Sequence, residues 1–313
     1  MRMQNYLADL DLDKRILEIG PLAAPLLNKK EANVFYADIL PTKEIKAFYQ
    51  NEPEVDKDAV CEIDFVIRGS YAESLKNVAK FDYIISCHVL EHMPRLLDFF
   101  QDAVNILNPQ GKIYALLPDC RYCFDHFRSP TSFAELYYIH TQGLKFVPWQ
   151  VLDSHMAVPL NDPRIFATEK KLFHLLTQRQ SFDDSKNIFQ KSLAGEYVPG
   201  HFSTFTPESF LLLLHESVRA GILPFKLVNF FPTSKYDFTF AAVLEACPEL
   251  LQSSSLSENE MGRLREEMVK LVDYEEQQAR RKYPPVLLNN FFHILKQDGL
   301  ACAVKKAISY LKS

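Results

Sequence analysis

Residues 81–117 read FDYIISCHVLEHMPRLLDFFQDAVNILNPQGKIYALL, and this stretch decides the fold. Phe81 to Cys87 is apolar without alternation, so the strand it forms has both faces covered. Beyond it, Leu96, Leu97, Phe100, Ala103, Val104 and Leu107 recur at helical spacing, with Pro94 placed for the first turn. The turn Asn108-Pro-Gln-Gly111 leads into a second apolar run, Lys112 to Leu117. Strand, helix and strand in that order is the repeating unit of a parallel sheet with helices on its faces.

Upstream, Arg15 to Ile19 (RILEI) ends in the turn Gly20-Pro21, Asn33 to Ala37 (NVFYA) is closed by Asp38, and Cys61 to Val66 reads as a third strand. Downstream, Thr206-Pro207-Glu208 opens a helix, with Thr206 as N-cap, Pro207 in the first turn and Phe210, Leu214 and Val218 on one face. Lys226 to Phe231 and Asp237 to Leu244 follow as an antiparallel hairpin. These elements predict an α/β fold: a doubly wound, mainly parallel, Rossmann-like sheet with a closing hairpin.

The sheet domain is expected over residues 1–128 and 205–248. Residues 129–204 are too long for a loop and carry helix-like stretches at Ser132 to His140 and Glu169 to Gln178, which predicts a helical insertion acting as an acceptor lid. Residues 249–313 form a helical C-terminal extension. There Ser257-x-x-Glu260 reads as a capping box opening a charged helix to about Lys282, stopped by Pro284-Pro285. Its apolar stripe, Leu264, Met268 and Leu271, suits docking on the core or a homodimer contact. The amphipathic end, Val286 to Lys312 with Lys305, Lys306 and Lys312, suits docking or peripheral membrane contact.

The composition is that of a globular chain: 313 residues, 47% hydrophobic and 24% charged. With 35 Lys+Arg against 40 Asp+Glu the net charge is −5, so a general nucleic-acid binder is excluded for want of cations. Met1 to Asp13 has no apolar core, and no run reaches the roughly 18 residues of a membrane span, which gives an expectation of a cytoplasmic protein. Its six cysteines are then reduced thiols, and Cys120-x-x-Cys123 lacks the second pair of a zinc site.

Open α/β sheets bind ligands at the carboxyl ends of their strands. The polar residues falling there are Glu18 and Gly20, Asp38, Asp64, Cys87 and His88 followed by Glu91 and His92, and Asp119 followed by Arg121. Asp38 lies 20 residues after Glu18, the place of a carboxylate that accepts both hydroxyls of a ribose. The first turn, IGPLAAP, lacks the G-x-G-x-x-G of a nicotinamide-dependent dehydrogenase.

RILEIGPLAAPLL, the strand closed by Asp38, and FDYIISCHVLEH followed by ILNPQGKIYALLPD together resemble a class I S-adenosylmethionine-dependent methyltransferase. The likeness extends to members associated with bacterial surface-polysaccharide synthesis, through PDCRYCFDHFR at residues 118–128. It implies an enzyme in which Glu18 and the Gly20-Pro21 turn face the methionine portion of the cofactor. Asp38 would bind the ribose diol, Asp64 lie near the adenine, and Cys87-His88 pass beside the methionine end. The family norm has two or three glycines in the first loop, where this chain has only Gly20, followed by Pro21 and Pro25.

A sulfonium is already an excellent leaving group, so the transfer is largely a matter of alignment. An oxygen acceptor must also lose a proton, and the candidate bases are His88, Asp119, His155 and His201. Arg121, Asp125, His126 and Arg128 suit a hydroxyl-rich or anionic acceptor such as a sugar or sugar phosphate. His88, Asp119 and Asp125 form an alternative set for a divalent cation, which the reading does not require. The leading expectation is O-methylation of a sugar or polysaccharide precursor. Its rivals are a methyltransferase acting on a small metabolite or a protein side chain, and a non-catalytic assembly domain with a degenerate cofactor loop.

Overall fold

A computed structural model describes residues 6–52, 55–157, 181–196, 198–234 and 237–279. Its centre is a seven-stranded sheet in the order β3-β2-β1-β4-β5-β7-β6. The strands are β1 (Ile16–Ile19), β2 (Val34–Asp38), β3 (Phe65–Val66), β4 (Phe81–Cys87), β5 (Leu107–Pro118), β6 (Phe225–Phe231) and β7 (Thr239–Ala246). β1 to β5 run parallel, with Ile16 beside both Val34 and Tyr83, while β7 pairs antiparallel with β5 and β6. The doubly wound sheet with its closing hairpin is thus the observed architecture.

The unbroken apolar character of the strands has its reason in the two cores. Leu17, Ile84, Ile113, Ala115 and Leu117 point into one buried cluster, and their neighbours Ile16, Ile85, Tyr114 and Leu116 into another on the opposite face. The helices are α1 (Thr42–Phe48), α2 (Tyr71–Ser74), α3 (Leu96–Ile106), α4 (Phe133–Gln142), α5 (Pro148–Ala157), α6 (Phe182–Leu193), α7 (Pro207–Arg219) and α8 (Ser254–Ala279). Leu97, Phe100 and Ala103 of α3 and Phe210 and Leu214 of α7 fill the first cluster. α7 begins as its sequence dictates: Thr206 accepts from the Ser209 amide, Ser209 returns the bond, and Pro207 occupies the first turn.

Within the insertion, Ser132 caps α4, and Gly143 ends it in the left-handed conformation. Leu136, Ile139, Val147 and Val151 join the same cluster as the sheet, so α4 and α5 are anchored on the sheet's own core. The helix-like stretch Glu169–Gln178, the end of the charged helix near Lys282, Pro284-Pro285 and the amphipathic end with Lys305, Lys306 and Lys312 lie outside the described residues.

Four local readings are corrected. The third strand is Phe65–Val66 rather than Cys61–Val66, because the Cys61 and Ile63 amides go to Leu22 O and Thr42 Oγ1 instead of a ladder. α3 starts at Leu96, since Arg95 is non-helical and Leu90–His92 forms its own 3-10 turn. β5 starts at Leu107, carrying Asn108–Gly111 within it as an irregularity with Gln110 at φ +62°. The Ser257/Glu260 capping box is absent. α8 starts three residues earlier, at Ser254; Ser257 donates back to Leu250 O and Ser253 O, and Glu260 accepts the Leu227 amide of β6 at 2.7 Å. Leu264 and Leu271 are buried and Met268 is half-buried in the main cluster, so the apolar stripe docks on the chain's own core. Among the described residues, no helix is long and apolar enough to cross a membrane.

Candidate active site

The sheet order reverses between β1 and β4, and a crevice at the carboxyl ends of strands forms at such a switch point. On its β1 side, Gly20 has φ +62°, a conformation that L side chains rarely adopt. A Cβ there would also stand 2.7 Å from Cγ2 of Val89, in the loop after β4. The glycine therefore lets the two loops that flank the crevice touch. Glu18 is buried beneath this turn, and its two oxygens accept the Leu26 and Leu27 amides at 2.6 and 3.2 Å. Burial nevertheless pushes its carboxyl up to about 7. Its contacts fix the loop from below. Pro21 is buried and stiffens the same turn.

Asp38 ends β2, half-buried, with Oδ1 accepting the Leu40 amide at 3.2 Å and its pKa raised by burial. It stands at the strand end beside the Gly20 turn, whose amide donates to Ala37 O. Asp64 is placed differently from the sequence reading. It precedes β3, level with Tyr36 rather than at the edge, and its Oδ2 takes Lys29 Nζ at 2.6 Å and the Tyr36 amide at 2.8 Å.

On the β4 side, Cys87 is a free thiol whose pKa burial raises. His88 follows with φ +55°, a strained conformation for a residue with a Cβ. Its Nε2 pairs with Thr239 Oγ1 at 2.9 Å, and burial, reinforced by His201 and His92, lowers its pKa to about 3. His88 is a neutral imidazole. Next come Glu91 and His92. Glu91 is 1% exposed, both its oxygens lack a hydrogen-bond partner, and burial lifts its carboxyl to about 7.

The segment before α7 closes this group. Phe202 and Ser203 donate their amides to Glu91 O, which brings His201 against His92 with ring centroids 4.6 Å apart. His201 Nδ1 hydrogen-bonds Asp125 Oδ2, while Asp125 Oδ1 accepts from Arg128 Nη1 at 2.8 Å. Burial opposes the charge on both His201 and Asp125, but each outweighs that for the other: the imidazole pKa rises, and the carboxyl, helped by Arg128, falls to about 2. Arg128 also reaches Asp153 Oδ2 and His201 O, both at 2.7 Å.

Of the predicted site residues, His88, His201, Asp125 and Arg128 therefore come together. Asp119, read as a base, is instead fully buried and taken by Arg121 and by Thr233 Oγ1 at 2.7 Å. Arg121 also pairs with Glu275 of α8 at 2.8 Å. His126 is fully buried with Nδ1 on Arg121 O, and His155 hydrogen-bonds Pro199 O near the surface. The alternative cation set of His88, Asp119 and Asp125 is not assembled, because each is engaged with different partners. The sequence places Glu91 and His92 at this strand end but assigns them no role in the site. Their signal was the spacing His88-x-x-Glu91-His92, which returns polar side chains to one strand end after a single turn.

A family model described as a methyltransferase domain matches residues 2–158. No curated protein matches the sequence. Among solved structures, the chain is similar to the CurJ carbon methyltransferase, with 13% identity over 77% of this chain and a TM-score of 0.33, and spans only about half (51%) of that protein. It is similar at 12% identity to an alcohol dehydrogenase from Rhodobacter sphaeroides described as zinc-dependent, covering 78% of this chain and 88% of that one with a TM-score of 0.42. It is similar at 11% identity to the CcbJ methyltransferase from Streptomyces caelestis, covering 78% and 94% with a TM-score of 0.39. Likeness at this level carries no functional weight.

Proposed function

Because the chain belongs to the methyltransferase-domain family, we propose that it binds S-adenosylmethionine in the crevice between β1 and β4 and methylates a hydroxyl of a sugar or polysaccharide precursor. The cofactor supplies an activated methyl group on a good leaving group. Its fit rests on the donor set. Asp38 ends β2 beside the Gly20 turn, where a carboxylate accepts a ribose diol, and Gly20 and Val89 hold the two flanking loops together. The Cys87-His88 segment lines the side reserved for the methionine end.

The observation that carries the oxygen acceptor is the group of buried Glu91 with half-buried His92 and His201 beside the β4 end. A hydroxyl must give up its proton as the methyl group arrives, and these side chains offer places to receive it. Asp125 orients His201 by holding Nδ1, which leaves Nε2 as the reactive nitrogen. His88, neutral and fixed on Thr239, positions this wall rather than titrating. Residues 129–204 act as the acceptor-side cover in this reading, with α4 and α5 anchored on the core to support it. The described cysteines are all free thiols, which agrees with a reducing, cytoplasmic setting.

The test is turnover: release of S-adenosylhomocysteine in the presence of nucleotide sugars and oligosaccharides, beside small phenols and peptides. Product formed with a sugar and abolished in His201→Gln supports the reading. Product formed only with a phenol or peptide transfers the assignment to that acceptor.

A further inference from the structure

We propose that Glu91, His92 and His201 form a binding site for one divalent transition-metal ion of the zinc or manganese type. One ligand atom from each of the three lies within 4.8 Å of the others. Ligands about 2.0–2.1 Å from a tetrahedral ion stand roughly 3.4 Å apart, so side-chain rotation of about an ångström closes the set.

Three features support this. Both Glu91 oxygens are buried without a hydrogen-bond partner, a costly arrangement that a cation would satisfy. His92 donates Nδ1–H to Gly200 O, and His201 has Nδ1 on the Asp125 carboxylate. Each imidazole is thereby oriented through one nitrogen, by a carbonyl in one case and a carboxylate in the other, leaving Nε2 as the ligand. Metal-binding histidines are held in this way. Finally, two amides on Glu91 O fasten the loop bearing His201 to the loop bearing Glu91 and His92, and His201 N on Ser154 Oγ fastens it to α5. The site is thus set by backbone contacts.

Two nitrogens and one oxygen select zinc, manganese, cobalt or iron over magnesium or calcium, which prefer all-oxygen shells. Three protein ligands leave at least one position open on a four-coordinate ion. Binding of the cation stands independently of the catalytic reading. Its use rests on that reading: an ion held there would polarise the acceptor hydroxyl, with His201 Nε2 then serving as its ligand in place of receiving the proton directly.

The experiment is calorimetric titration of the chelator-treated full chain with zinc chloride and with manganese chloride, on wild type, Glu91→Gln, His92→Gln and the control His215→Gln. Each variant is first confirmed folded by its circular-dichroism melt. The proposal expects one equivalent bound by wild type and His215→Gln, and at least tenfold weaker binding in Glu91→Gln and His92→Gln. No stoichiometric binding of either ion, or affinity unchanged in both ligand variants, overturns it. The same samples are titrated with S-adenosylhomocysteine. If that ligand binds and no metal does, the metal inference alone fails. If metal binds and that ligand does not, the cofactor reading fails and this site stands.

Discussion

Asp125 is shared between His201 and Arg128, taking the imidazole Nδ1 on one oxygen and the guanidinium on the other. The arrangement ties the loop after β5 to the loop before α7, across 76 residues of chain. All three groups are largely buried, so the pair is far more costly to break than to omit. Asp125→Asn leaves buried Arg128 with Asp153 as its remaining charge partner and strips His201 of its counter-charge. The expected loss is about 3–5 kcal/mol in urea unfolding. A loss below about 1 kcal/mol means that the pair does not hold these loops.

Gly20→Ala tests the crevice from its other side. The substitution adds left-handed strain of about 1–2 kcal/mol and forces a new methyl against Val89. Stability should fall by at least that amount, and affinity for S-adenosylhomocysteine should fall with it as the two loops part. An alanine variant with wild-type stability contradicts the account of this turn.

Much of this was readable from the residues. The order of strands, the hairpin and the α7 cap follow from local patterns that tertiary contacts reinforce, as Thr206, Pro207 and Ser209 illustrate. What escaped was settled by partners distant in sequence. Cys61 and Ile63 have strand-like residue types, yet Leu22 and Thr42 take their amides. Glu260 sits in a capping-box pattern, yet its carboxylate covers a strand edge. The same limit applied to the site. The polar run from Asp119 to Arg128 suggested a surface for sugars, whereas Asp119, Asp125 and Arg128 are engaged in internal pairs. His201 met Glu91 and His92 only through the fold.

Glu18 gives the chain a pH signature. Its folded pKa, about 7, lies above the usual 4.5, so the native state keeps this proton while the unfolded chain releases it. Stability therefore falls as pH rises from 4.5 to 7, by about 3 kcal/mol from this group. Glu18→Gln carries no such proton. Urea unfolding at both ends of that window should show a smaller pH-dependent loss for the variant; equal losses refute the assignment.

Glu260→Ala probes how α8 closes the outer strand. The Leu227 amide loses its buried acceptor, which costs about 1–3 kcal/mol. Exchange of the Leu227 amide with deuterium should quicken at the same time. Unchanged exchange and stability would show that water or another group serves this edge equally well.

The central claim is a cofactor crevice at the ends of β1, β2 and β4, and thermal unfolding with S-adenosylhomocysteine reaches it most directly. At about 100 times its dissociation constant the ligand should stabilise the fold by roughly 2.7 kcal/mol, a rise of several degrees. The account predicts that rise for wild type and its loss in Asp38→Ala, with NAD giving none in either. No rise at millimolar ligand, or the same rise in Asp38→Ala, would contradict it.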